Sequence, residues 1–431
     1  MYTATGAPDA STRGLSDAVR NEFLLVEQGM LAAVAGQYAL PYAERSNTAT
    51  TITTTDRGKA IRVTGAGNSV QAFASVATLG AGWFCWLWND TTGYIETTTD
   101  GATYRMYPGE ERCVYVDHTN SILRTRVTKS FRIKTQVAGA GTFYVPPGYN
   151  GALCVRATGA GAGGGGGGGG GSGKGVNSSG GNGGAGGSGG AAGQNGQTVL
   201  RRIAWSKLPA AGQTIAWSVG TGGAKGTGGA GGAGAASGGS GNTGSDGTSG
   251  SAGTATSFAT STDDYYANAL GGTAGTNRGL AGAGAVTSPN GGAAVTNNAT
   301  VTAAALDARA GFITTANSVG AASTAGTNSA TSTGKAGGAG GDTPTGWALP
   351  TARSGASLAP GGATNSNAVP SPGNPGTTPA AETSPGVGGL GGGGGGGSPG
   401  VGGGASAATG AGGAGGDGAN GGPGEIEIWA E

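Results

Sequence analysis

The sequence predicts a mainly β chain: a short N-terminal helix, a small antiparallel β-module, then a glycine-rich domain of β-strands with packed polyglycine-II helices. Three observations carry this. Runs rich in β-branched and aromatic residues recur between turn signals from residue 46 to 137. Most of the 101 glycines of the 431-residue chain fall after residue 150. Within that half, non-glycine residues recur at every third place, which is neither a strand nor an α-helix period. The expected organisation is an attachment or oligomerising segment over 1–45, a sandwich-like module over 46–138 and a glycine-rich domain over 139–431.

The N-terminal helix is expected over residues 16–35. Ser16 can cap the free N–H groups of its first turn, and Asp17 suits the helix dipole there. Val19, Phe23, Val26 and Met30 lie on one stripe, which must be buried in its own domain or at an oligomer axis. Leu40-Pro41 marks its end. Strands follow over 48–55, 61–64, 83–88, 103–107, 112–117, 122–127 and 131–137, separated by turn residues, which predicts an antiparallel sandwich or barrel. The cluster Trp83-Phe84-Cys85-Trp86-Leu87-Trp88 puts bulk on both faces of one strand. That predicts burial on both sides, by a second sheet or by a neighbouring subunit; a carbohydrate platform is the alternative.

A strand over 141–145, a Pro-Gly turn and a strand over 152–157 read as a hairpin leading into the unbroken glycines 163–171. Further strand signals stand at 198–206, 214–219 and 425–429. Composition alone would make the glycine runs a flexible linker. The three-residue period opposes this. Ala185, Ser188 and Ala191 follow it, as do Thr227, Ala230, Ala233 and Ala236, and again Ala411, Ala414, Asp417, Asn420 and Pro423. A left-handed extended helix has three residues per turn. Built of glycine, it keeps N–H and C=O groups free to bond sideways, so several such helices can knit into a lattice.

Composition excludes much chemistry. With 23 basic and 22 acidic residues and no basic cluster, nucleic acid is not an expected partner. One histidine, His118, gives no basis for a His-ligated metal or a catalytic triad. Cys85, Cys113 and Cys154 form no CxxC pair and read as small buried residues. Gly168 through Lys174 imitates a phosphate loop, but residue 175 is Gly rather than Ser or Thr. The start Met1-Tyr2-Thr3-Ala4 lacks the features of a secretory signal, and no apolar run suits membrane insertion. No enzyme, metal or cofactor is expected.

The stretches Thr53-Thr54-Thr55-Asp56-Arg57-Gly58-Lys59, Ala77-Thr78-Leu79-Gly80-Ala81-Gly82-Trp83 and Tyr107-Pro108-Gly109-Glu110 resemble a small β-module of tail fibres of tailed bacteriophages. The entry strands, glycine runs and terminal Glu425-Ile426-Glu427-Ile428-Trp429 are similar to the polyglycine-II adhesins at the long-fibre tips of T-even-like phages. These resemblances imply a virion tail protein, a homotrimer joined to other tail or baseplate proteins. They also imply a host-surface receptor as partner: an outer-membrane protein, a surface glycan or a pilus. Alternative readings are a structural polyglycine protein without adhesion and a capsule-degrading tailspike enzyme. Receptor contact is expected in polar loops, foremost Asp263-Asp264-Tyr265-Tyr266 and Trp347, because paired tyrosines offer contact area at low entropic cost.

Overall fold

The computed structural model describes residues 41–99, 102–117, 122–174, 183–236, 239–274, 278–284, 312–315, 373–378, 383–398 and 409–431. The expected helix with Val19, Phe23, Val26 and Met30, as well as His118 and Trp347, lies outside them. The chain is mainly β and divides into two compact units. Residues up to Phe131, with Pro146–Gly148, form the first; Arg132–Val145 and Tyr149–Glu431 form the second.

The first unit pairs two sheets. β1 (Tyr42–Ser46), β3 (Ala60–Gly65), β5 (Phe84–Thr91), β8 (Glu111–Asp117) and β9 (Ile122–Lys129) make one, in that order. β2 (Thr50–Ile52), β4 (Ser69–Phe73), β6 (Ile95–Thr99) and β7 (Ala102–Met106) make the other. The module is therefore not purely antiparallel, as the turn signals suggested. β1 pairs with β3 in parallel, β3 with β5, β2 with β4 and β4 with β6. Each short turn carries the chain across to the opposite sheet instead of back along its neighbour, so alternate strands stack side by side. Successive turns bond one another: Gly67 N–H donates to Thr92 Oγ1 (3.0 Å) and Tyr94 N–H to Asn68 Oδ1 (3.1 Å). The chain turns antiparallel only later, in the β5–β8, β8–β9 and β6–β7 pairs.

Between the sheets lie Ile52, Ile61, Val63, Leu87, Ile95 and Val114, all essentially inaccessible. One short helix, α1 (Val76–Leu79), closes this core with Leu79, and Ser75 Oγ caps it by accepting from Thr78 N–H (3.2 Å). Within this chain β5 is buried on one face only, so no second sheet covers its other side. Cys85, Leu87 and Asn89 point into the core, while Phe84, Trp86 and Trp88 are half-buried on the outer face. Strict alternation leaves them there. Arg62 lies over Trp88 (4.9 Å), and Phe84 meets Trp86 edge-on (5.3 Å). Trp83 precedes the strand and is the buried one; its indole N–H donates to Thr53 O (3.1 Å).

The second unit opens with β10 (Arg132–Thr135), β11 (Gly139–Tyr144) and β12 (Ala152–Thr158). β13 (Thr198–Ala204), β14 (Thr214–Val219), β15 (Thr256–Phe258), β16 (Ala267–Ala269), β17 (Phe312–Thr315) and β18 (Glu425–Ala430) follow. They form one sheet ordered β10-β18-β12-β13-β17 and another ordered β11-β14-β15-β16. β11 and β12 therefore do not pair as the expected entry hairpin. β12 is buried along nearly its whole length and sits between β13 and β18, while β11 pairs with β14. β15, β16 and β17 fall in stretches expected to be loops, because strands of three or four residues are too short to show a period.

Candidate functional site

From the strand ends of the second unit, seven glycine-rich segments run side by side: 159–174, 183–197, 220–236, 239–254, 271–284 (275–277 not described), 386–398 and 409–424; an eighth, shorter stretch, 373–378, bonds to the last two. The first is central. Its N–H groups visit three neighbours in rotation: Gly163 donates to Ser251 O (2.9 Å), Gly164 to Ala419 O (2.9 Å) and Gly165 to Ala191 O (3.0 Å). Gly166, Gly167 and Gly168 repeat the cycle onto Thr248, Gly416 and Ser188. Its carbonyls accept from the other three segments, for example from Gly226 (2.8 Å), Gly392 (2.9 Å) and Gly279 (2.7 Å). The three accepting segments run antiparallel to the central one and the three donating segments run parallel to it.

This geometry explains the two kinds of glycine run. In the centre every side-chain direction faces a neighbour: a Cβ on Gly166, Gly167 or Gly168 would collide with the carbonyl of Thr227, Gly393 or Leu280. No third place is open, so the run is unbroken. On 220–236 one direction in three faces solvent, and there stand Thr221, Ala224, Thr227 and Ala230, all exposed, whereas 388–398, also off the centre, is buried throughout and keeps its own unbroken glycines 391–397. In 183–197 the third places Ala185, Ser188 and Ala191 are instead fully buried.

Side chains at third places also close the seams between segments. The hydroxyls of Ser251, Thr248 and Ser245 accept from the N–H groups of Ala224, Thr227 and Ala230 (each 2.7 Å). Asn195 accepts at Oδ1 from Gly388 (2.7 Å), Asp246 from Ala281 (2.8 Å), Asp417 from Gly228 (2.9 Å) and Asn420 from Lys225 (2.9 Å). The Lys225 ammonium and the Gly228 N–H hold the Asp417 carboxyl below its ordinary range. Sequence reading saw the period but not this role, although an Asx placed immediately before an inward glycine is a usable signal.

At the end remote from the sheets, polar side chains bind the segments together. Gly173 N–H donates to Ser398 Oγ (2.8 Å), Thr409 Oγ1 to Gly173 O (2.9 Å) and Asn242 N–H to Ser172 Oγ (2.7 Å). The chain enters and leaves 175–182, 237–238 and 399–408 from this tip.

Asp263, Asp264, Tyr265 and Tyr266 lie elsewhere. They form the turn between β15 and β16, at the opposite end of the segments from the tip. The turn is tightly braced. Asp263 Oδ2 accepts from Thr260 N–H (2.9 Å) and Oγ1 (2.6 Å), which holds its carboxyl below the usual value. Buried Arg201 donates to the carbonyls of Asp264 and Tyr266. Partial burial raises both tyrosine hydroxyls, that of Tyr265 also through Asp263. Ala259, entering the turn, has φ +66°, a strained value for a residue with a Cβ. Asp264 alone of the four is exposed.

Among the described residues no cluster of three or more His, Cys, Asp or Glu could hold a metal ion, and no helix is long and apolar enough to cross a membrane. Burial raises all three cysteine thiols, that of Cys154 to about 11. A scan against known protein families finds no matching model, and a search of curated proteins finds no relative.

Proposed function

We propose that this chain is a tail-fibre or receptor-binding protein of a tailed bacteriophage. In this reading the glycine-rich segments are polyglycine-II helices packed around a central one, forming a rigid post that carries host-contacting segments at its tip. One observation supports it above the rest: the N–H groups of 163–171 address three neighbours in strict rotation, as a helix of three residues per turn requires. Ordering so much glycine is entropically costly. The sheets at one end and the polar collar at the other supply the tethers. A post of this kind suits presentation rather than catalysis, and the chain would act as a virion component, several copies raising avidity.

In this reading the host-contacting segments are those that leave the tip, while the turn holding Asp263–Tyr266, expected from the sequence to make contact, stands at the strand end. Purified, folded protein is expected to bind envelopes of susceptible bacteria and to reduce plaque formation by competition. Folded protein that does neither across the host range would remove the proposal.

A further inference from the structure

Four Asx-Gly pairs stand in the glycine-rich segments: Asn195-Gly196, Asp246-Gly247, Asp417-Gly418 and Asn420-Gly421. Such pairs are chemically fragile in a free chain. The glycine nitrogen can attack the side-chain carbonyl carbon of the preceding residue, since no Cβ on glycine hinders the approach. Here every attacking nitrogen is already engaged. Gly196 donates to Gly386 O (2.7 Å), Gly247 to Gly279 O (2.9 Å), Gly418 to Gly226 O (2.9 Å) and Gly421 to Gly223 O (2.9 Å). The electrophile is held as well, because each Asx oxygen caps the N–H of an adjacent segment.

Asn150-Gly151, in the connection before β12, is built differently. Both residues are exposed, and among the described residues neither the Asn150 side chain nor the Gly151 N–H makes a hydrogen bond. Only the Gly151 carbonyl is engaged, accepting from Trp205 N–H (3.1 Å).

We propose that Asn150 is a self-modifying site, whereas the lattice protects Asn195 and Asn420 from the same reaction. The Gly151 nitrogen bonds to Cγ of Asn150, and the side-chain amide departs as ammonia with the proton from that nitrogen. Water then opens the resulting succinimide to aspartate or isoaspartate. No oxidant, metal or other reagent takes part. The product adds a negative charge before β12. In the iso form it also inserts a backbone carbon ahead of Ala152, whose N–H and C=O both bond Glu431 (3.2 and 2.9 Å).

The test is incubation of the folded full chain in mildly alkaline buffer, with each asparagine followed by peptide mass and fragmentation. Reaction in the lattice must wait for local opening, so conversion at Asn195 and Asn420 is expected to be at least ~100-fold slower than at Asn150. In denaturant the three should convert at similar rates. Asn150→Gln should abolish the early product and leave the folded spectrum unchanged. Equal rates at Asn150 and the lattice asparagines in the folded chain would overturn the proposal. So would a difference that survives unfolding, since it would then belong to local sequence. Asn182 and Asn290, which lie outside the described residues, are scored as separate peptides.

Discussion

Asn420 accepts, at its side-chain oxygen, the amide hydrogen of Lys225, a residue 195 positions earlier in the chain (2.9 Å). Among the described residues no backbone carbonyl receives that amide. A one-atom acceptor on the neighbouring segment satisfies it instead. The same device recurs at Asp417 with Gly228 and at Ser251 with Ala224. It ends the lattice laterally, as a capped edge ends a sheet.

Centre and rim should respond very differently to a single methyl group. Gly167→Ala would drive a Cβ into the Gly393 carbonyl and should destabilise the second unit by ~3 kcal/mol or more. Ala230→Ser, at an exposed third place, should stay within ~0.5 kcal/mol. Thermal unfolding of the two variants beside the parent checks this, and equal melting shifts would refute the lattice.

Hydrogen exchange reads the same lattice directly. Amides of 163–171, all bonded or buried, should exchange orders of magnitude more slowly than those of the exposed turn residues Ser261 and Thr262. Exchange at free-peptide rates across 163–171 would mean that the segments are not held.

Acid should loosen the terminal strand. Burial pushes the Glu425 carboxyl upward, but hydrogen bonds from Gln136 and Lys134 and the charges of Lys134 and Arg156 outweigh it, leaving the folded value depressed. A depressed carboxylate contributes stability above its unfolded value of about 4.3, and that contribution is lost as pH falls through the lower folded value. Denaturant midpoints measured down through this range should fall, and Glu425→Gln should flatten the fall. An unchanged slope in the variant would show that Glu425 is not its source.

In the first unit, Glu110 and Arg112 are both fully buried, and Arg112 also donates from Nη1 to Pro147 O (2.7 Å). Arg112→Met would leave the buried Glu110 carboxylate without the Arg112 countercharge, Tyr107 N–H (2.7 Å) still donating to it, a loss of ~3–5 kcal/mol. Chemical denaturation followed by tryptophan fluorescence measures it; a loss under ~1 kcal/mol would contradict the assigned role.

Host contact at the tip predicts that Asp264→Ala combined with Tyr265→Ala alters adsorption by no more than about twofold, since peripheral contacts carry little binding energy. A larger loss in competition binding would move the contact to the strand end.

Much of the architecture follows from side-chain chemistry that acts locally. Alternation in Glu425–Ala430 and β-branched runs such as Ala60–Gly65 mark strands, because the period of two is a property of neighbouring residues, although β18 proves buried on both faces. The period of three likewise declares an outward side in Thr227, Ala230 and Ala233, and its absence in 163–171 declares that no side is open. Which strand meets which was decided only in three dimensions. The short turns at Ala66-Gly67-Asn68 suit a hairpin or a crossing to another sheet equally well, and only packing of Val63 and Leu87 against the facing sheet selects the crossing. The placement of Asp263–Tyr266 at the strand end, and the pairing of Asn420 with Lys225, depend on contacts between residues far apart in the chain. No local pattern encodes such distances; they emerge when every backbone amide in a crowded interior must find a partner.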